Sequence, residues 1–255
     1  MISPIAFSIG PISVHWYGIA YATSLLICVG IVILLNKKRN VFKDNNQILD
    51  FMFWIFLLGV LMGGRLGYVL FYNLPYYFEN PAKILAIWQG GMSFHGGMLA
   101  SVGVAYYLAR KYKLDIIGMM DMLVVPGALA TALPRIANFI NRELYGRAVE
   151  SAGWKWIGMD FGDGVLRFPS QLFQSAGAVI LFLVMLFIYS RKPKKGVTLF
   201  SYFIGYGLIR IILEFWRQPD AQIGFLFGWL TLGQLLSLGM VVAGLIGLYY
   251  RKKLR

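Results

Sequence analysis

Apolar residues fall in long blocks along the chain, separated by short polar stretches; Tyr17 to Leu35 and Ser175 to Tyr189 are two such blocks. About 20 mainly apolar residues cross the roughly 30 Å of hydrocarbon in a bilayer. Repeated blocks of that size predict a bundle of membrane helices, because a helix satisfies its own backbone polar groups in lipid. Spans are predicted over residues 17–35, 49–72, 93–111, 116–138, 171–190, 197–216 and 229–250. The expected fold is therefore an all-α membrane protein with seven transmembrane helices, built as a single integral membrane domain over 1–255. The longest connection, between spans four and five, mixes charge, glycine and tryptophan, and predicts a small extracytoplasmic cap over 139–170. No period of 20–50 residues marks a repeat architecture.

Composition agrees with this pattern: 58% of residues are hydrophobic and 14% charged. Soluble domains have roughly half and a quarter. A net charge of +13 raises nucleic acid as a partner, but the placement of the charges argues against it. Fifteen of the 24 basic residues fall in 36–48, 110–115, 191–196 and 251–255, which alternating spans put on one side. The positive-inside rule makes that side cytoplasmic, with the N-terminus outside and the C-terminus inside. The first block lacks the flanks of a cleaved leader and is expected to remain as a span. A single cysteine, Cys28, excludes an internal disulfide and is expected to be inert core. No cluster of Cys and His suggests a metal, and no motif suggests a cofactor.

The remaining polar residues concentrate at one depth. At ~1.5 Å per residue, Arg65, Arg135, Arg210 and Glu214 lie roughly 20–28 Å above the inner ends of spans two, four and six. Tyr17 and His95 open spans one and three from the outer side. Intramembrane charge is costly and is usually functional or paired. Three arginines against one glutamate call for an anion, and a phospholipid phosphate in the outer leaflet is a natural candidate. Tyr206, Arg210 and Glu214 share a helix face at i, i+4, i+8; the competing reading is an Arg210–Glu214 pair that neutralises itself. The run Gly90-Gly91-Met92-Ser93-Phe94-His95-Gly96-Gly97-Met98 offers free N–H groups and close backbone approach to phosphate. Its competing reading is an interfacial histidine among glycines that only let helices touch. His15, Trp16, Trp154-Lys155-Trp156 and Phe225 to Trp229 read as interfacial aromatic anchors.

Four motifs resemble the prolipoprotein diacylglyceryl transferase family in order along nearly the whole chain. They are Phe7-Ser8-Ile9-Gly10-Pro11 with His15-Trp16-Tyr17-Gly18; Gly91-Met92-Ser93-Phe94-His95-Gly96-Gly97; Arg135 through Asn138, Asn141, Glu143 and Gly146 to Arg147; and Tyr206-Gly207 through Arg210, Glu214, Arg217, Gln218-Pro219-Asp220 and Gln222. The resemblance implies transfer of the sn-1,2-diacylglyceryl group of phosphatidylglycerol to the lipobox cysteine of a prolipoprotein signal peptide. A thioether forms and glycerol phosphate leaves. It implies an enzyme of the bacterial cytoplasmic (inner) membrane, without cofactor, whose site faces the outer leaflet. Essential residues carry over to Tyr17, His95, Arg135, Asn138, Glu143, Gly146, Arg210 and Glu214.

On this reading His95, Arg135, Arg210 and Glu214 are catalytic. Tyr17, Arg65, Gly96, Gly97, Asn138, Glu143, Gly146 and Tyr206 bind substrate. Either His95 or a carboxylate takes the thiol proton. Three positions depart from the family pattern: Pro134 stands where glycine is usual, and Phe168 and Gln174 replace a histidine and a carboxylate. The competing function is a secondary transporter of an anionic solute, although such sites sit near the midplane between repeated halves.

Overall fold

The computed structural model describes residues 3–10, 12–87, 90–218, 225, 226 and 230–253. It is predominantly helical. A short antiparallel hairpin, β1 (Ile5–Ile9) and β2 (Ile12–His15), turns at Gly10 with φ +58° and leads directly into α1 (Trp16–Arg39). Lys37, Lys38 and Arg39 occupy the last turn of α1, where the negative end of the helix dipole favours cations. Asn36 then closes the turn, donating to the carbonyl of Phe42 and accepting from its N–H at 2.9 and 2.8 Å.

The second apolar segment is one continuous helix over Asn45–Tyr72, made of α2 (Asn45–Trp54), a π-helical stretch Ile55–Gly63, and α3 (Gly64–Tyr72). Asp44 caps it by accepting from the Gln47 N–H at 2.8 Å, so it begins before the predicted residue 49. After α4 (Leu74–Glu79) and a 3-10 turn at Pro81–Leu85 comes α5 (Phe94–Lys111). α5 packs on the preceding helix through a seam of small residues. A Cβ on Gly96 would meet the Gly63 carbonyl at 2.6 Å and the Gly67 Cα at 2.7 Å, and one on Gly59 would meet Ser101 Oγ at 2.5 Å. Small residues every four positions let two helix backbones approach this closely. Gly96→Val should therefore lower stability by about 1–3 kcal/mol through overpacking, read as a fall in the thermal unfolding midpoint in detergent.

The fourth apolar segment, expected as one helix, is two: α6 (Ile116–Leu129) and α7 (Ala132–Ile140). Pro126 inside α6 lacks an N–H, so the turn before it loses its bond to the carbonyl of Met122. α8 (Ser170–Ser190), α9 (Val197–Leu213) and α10 (Leu232–Lys253) complete the chain. The start of α9 is tied to α6. Asp121, 5% exposed, accepts from the N–H groups of Gly196 at 2.6 Å and Leu199 at 2.8 Å. α9 and α10 pack closely because Gly207 faces the Ser237 carbonyl and Gly244 faces that of Phe200, each where a Cβ would come to 2.7 Å. Cys28 is buried and its thiol donates to the Pro126 carbonyl at 3.5 Å, as an inert core residue would.

Helix falls in each of the seven predicted segments, and among the described residues five helical stretches are long and apolar enough to cross a membrane: Trp16–Arg39, Asn45–Tyr72, Ile116–Ile140 (α6 with α7), Ser170–Ser190 and Leu232–Lys253. This makes the chain a multi-pass membrane protein. α9 is shorter, at 17 residues, and α5 is diluted by its glycines, serine and tyrosines. Between α7 and α8 lie a 3-10 turn Ala152–Ile157 and two short paired strands, β3 (Met159–Asp160) and β4 (Leu166–Arg167). Arg167 bonds Asp163 there at 2.7 Å and holds its carboxyl below the usual carboxylate range. The chain divides into two compact units, Met1–Val32 with Met120–Arg255, and Ile33–Met119.

Candidate active site

The first unit contains a cavity lined by α6 to α9. Arg135 from α7 and Arg210 from α9 both reach it, together with Thr131, Gln174, Tyr202 and Tyr206. Thr131 stands at the break between α6 and α7, so that break places a hydroxyl in the cavity wall. Gly127, where a Cβ would meet nothing within 4 Å, leaves the wall open, and Gly177 lets Ile209 of α9 come close.

Arg135 is oriented from behind. Its Nη1 donates to Asn138 Oδ1 at 3.1 Å, and Asn138 Nδ2 donates in turn to Glu143 Oε1 at 2.7 Å. Glu143 is held by its backbone: the buried Gln171 amide donates to its carbonyl at 2.8 Å, and Ser170 Oγ donates to that of Leu144 at 3.1 Å. This relay uses one of the five N–H groups of Arg135, and the others make no hydrogen bond to a described residue. Arg135 also lies within electrostatic range of Arg210 and Arg217. Tyr17, at the start of α1, is in range of Glu143 and Arg135, and its hydroxyl lies 3.2 Å from that of Tyr21.

Arg210 pairs with Glu214 at 2.5 Å, the self-neutralising contact that the i, i+4 spacing allowed. Glu214 is only 2% exposed and is shared further, with Arg217 at 3.5 Å and the Thr231 hydroxyl at 3.1 Å. Glu214 thus stands against both Arg210 and Arg217, while Arg135 has neutral Asn138 beside it. Of the three arginines read from the sequence, Arg135 and Arg210 therefore line one cavity, and Arg65 is spent on backbone carbonyls.

Three expected substrate-binding residues are occupied otherwise. Arg65, in the second unit, is 3% exposed and gives all five N–H groups to backbone carbonyls: Nε to Ile84, Nη1 to Gly90 and Gly91, Nη2 to Lys83 and Ala86. It ties residues 83–86 and 90–91 to α3 and has no donor left for a headgroup. Arg65→Lys, with three donors at most, should cost about 1–3 kcal/mol, and make 81–91 sensitive to limited proteolysis; a raised lipid KM with unchanged stability would restore it to the site. Gly96 is filled by helix contact, as described above. Gly146 is wedged between chain segments: its N–H bonds the Phe168 carbonyl at 2.9 Å, and a Cβ there would strike that carbonyl at 2.6 Å and also the carbonyl of Trp216.

His95 lies in the first turn of α5, exposed, with Ser93 capping the helix by accepting from the Gly96 N–H at 3.2 Å. Gly97 follows it at ordinary contact distance from α3. Sequence reading missed Asp121, a lone acid within an apolar run, and Gln171, whose amide is fully buried. Pro219, Asp220, Gln222 and the tract 227–229 lie outside the described residues.

The prolipoprotein diacylglyceryl transferase family model matches residues 4–250. The chain belongs to this family. It is 42% identical to the phosphatidylglycerol–prolipoprotein diacylglyceryl transferase of Azospirillum brasilense, over 95% of this chain and 92% of the relative. The protein of the same name from Pseudomonas entomophila is 40% identical, with 99% and 95% covered, and that from Azotobacter vinelandii 41%, with 100% and 97% covered.

Two departures from the family pattern now have a physical reading. Pro134 falls in the first turn of α7, where its missing N–H has no helical partner to lose. Phe168 contributes through its backbone, pairing with Gly146 and Arg147, and its ring packs on Trp154.

Proposed function

We propose that the chain transfers the sn-1,2-diacylglyceryl group of phosphatidylglycerol to the lipobox cysteine of a prolipoprotein signal peptide. The observation that carries this reading is the convergence of Arg135 and Arg210, from separate helices, on one cavity. Family membership favours it over solute transport.

A thiol reacts as the thiolate and has a pKa near ~8.5 when free. Its proton passes to a base, His95 or a carboxylate, and sulfur attacks the glycerol carbon bearing the phosphate ester. The C–S bond forms as the C–O bond breaks, and the electron pair leaves on glycerol phosphate, whose charge rises from one toward two. Arg135 and Arg210 donate to those phosphate oxygens, and donors that grip the developing charge lower the barrier. Glu214 positions Arg210, while Asn138 and Glu143 position Arg135. Tyr17 and Tyr206 contact the lipid or the peptide. The protein is one integral domain of the bacterial inner membrane, crossing it seven times, with its C-terminus cytoplasmic and the cavity toward the outer leaflet. Both amphiphilic substrates enter sideways from the bilayer.

Purified protein, phosphatidylglycerol and a lipobox peptide test this directly. The peptide should gain the mass of a diacylglyceryl group on its cysteine; solute uptake by proteoliposomes with no change to the peptide would establish the transporter instead. His95→Gln should lower kcat and remove the rising limb of the pH–rate profile. An unchanged limb moves the base to another residue.

A further inference from the structure

The polar lining of the cavity exceeds what a phosphate needs. Phosphate oxygens only accept hydrogen bonds, and two arginines only donate them. Yet Gln174, half-buried on α8, presents an amide that makes no hydrogen bond with any described residue. Its neighbours on the same helix face, Gly177, Ala178 and Leu181, offer nothing polar to meet it. The amide carries two donors and, in Oε1, a dedicated acceptor that cannot rotate into a donor as a hydroxyl can. An acceptor beside two guanidinium groups is of no use to a bare phosphate. It suits an anionic headgroup that also carries a hydroxyl.

The geometry points to Gln174 as the residue that reads the headgroup hydroxyls of the lipid, with Oε1 accepting from a glycerol O–H while Arg135 and Arg210 hold the phosphate. This rests on the transferase reading above and adds to it the source of headgroup specificity. An ammonium headgroup would meet two guanidinium charges and only a neutral amide, so the cavity disfavours aminoalcohol lipids. A hydroxyl-free headgroup would leave the amide unpaired.

The test compares phosphatidylglycerol with phosphatidylpropanol, which keeps the phosphodiester and the three-carbon headgroup but lacks both hydroxyls. Each is given to the full-length protein with a lipobox peptide. Wild type should prefer phosphatidylglycerol by about tenfold in kcat/KM, the scale of one neutral hydrogen bond. Gln174→Met, similar in volume, should reduce that preference to about twofold or less, mainly through KM for phosphatidylglycerol. Gln174→Glu keeps an acceptor and should keep the preference. A preference that survives in the methionine variant overturns the assignment. So does an equal loss with both lipids accompanied by a lowered unfolding midpoint, which would make Gln174 structural. If wild type modifies the peptide with neither lipid, the transferase reading itself falls, a result separate from the other two.

Discussion

Arg135→Lys should lower kcat for thioether formation on the order of a hundredfold to a thousandfold, while the unfolding midpoint in detergent stays near that of wild type. The charge is retained, so the loss isolates geometry. Arginine presents five N–H groups in a planar fork; lysine presents one compact ammonium. In this protein Asn138 uses one of the five, fixing the plane of the guanidinium from behind through a relay that ends on Glu143. The rest face a cavity that Arg210 also reaches. A lysine can hold the phosphate of the ground state but cannot bridge two of its oxygens as charge builds in the transition state. The effect should therefore fall on kcat more than on KM. Turnover near wild type would move the phosphate-gripping role away from Arg135.

Glu214→Ala should cost about 3–5 kcal/mol of stability, the usual result of removing one partner of a buried ion pair. Glu214 is 2% exposed, and its loss takes the counter-charge from Arg210, one ion-pair partner from Arg217 and the acceptor from the Thr231 hydroxyl. Thermal unfolding in detergent, followed by tryptophan fluorescence, reads the change. Glu214→Gln separates anchor from base. As an anchor for Arg210, Glu214 can give way to glutamine with slower turnover and with the rising limb of the pH–rate profile kept. Loss of that limb in the glutamine variant, with His95 intact, would make Glu214 the base.

Much of the fold was legible because lipid imposes a harsh filter. Each block long enough to span is helical, and helix ends follow local chemistry at Asp44 and Ser93. The break between α6 and α7 was harder to read. Pro126 is visible in the sequence, but the helix parts near Thr131, and only packing decides which side chain enters the gap. Asp121 was passed over because a single acid in an apolar run has no local signature; its partners, Gly196 and Leu199, lie far along the chain.

Residue type and spacing determined by themselves that this chain is a membrane helix bundle with more arginine than acid in its apolar segments, and that four ordered motifs tie it to one enzyme family. What they could not separate is shown by two nearly parallel stretches, Arg65-Leu66-Gly67-Tyr68 and Arg135-Ile136-Ala137-Asn138. Both place an arginine late in an apolar segment. Arg65 meets five carbonyls of a folded-back loop and is used up as a structural clasp. Arg135 meets one asparagine and an open cavity. A guanidinium takes whatever acceptors surround it, and which acceptors those are depends on segments distant in sequence, so only the tertiary structure could assign one arginine to the scaffold and the other to the substrate.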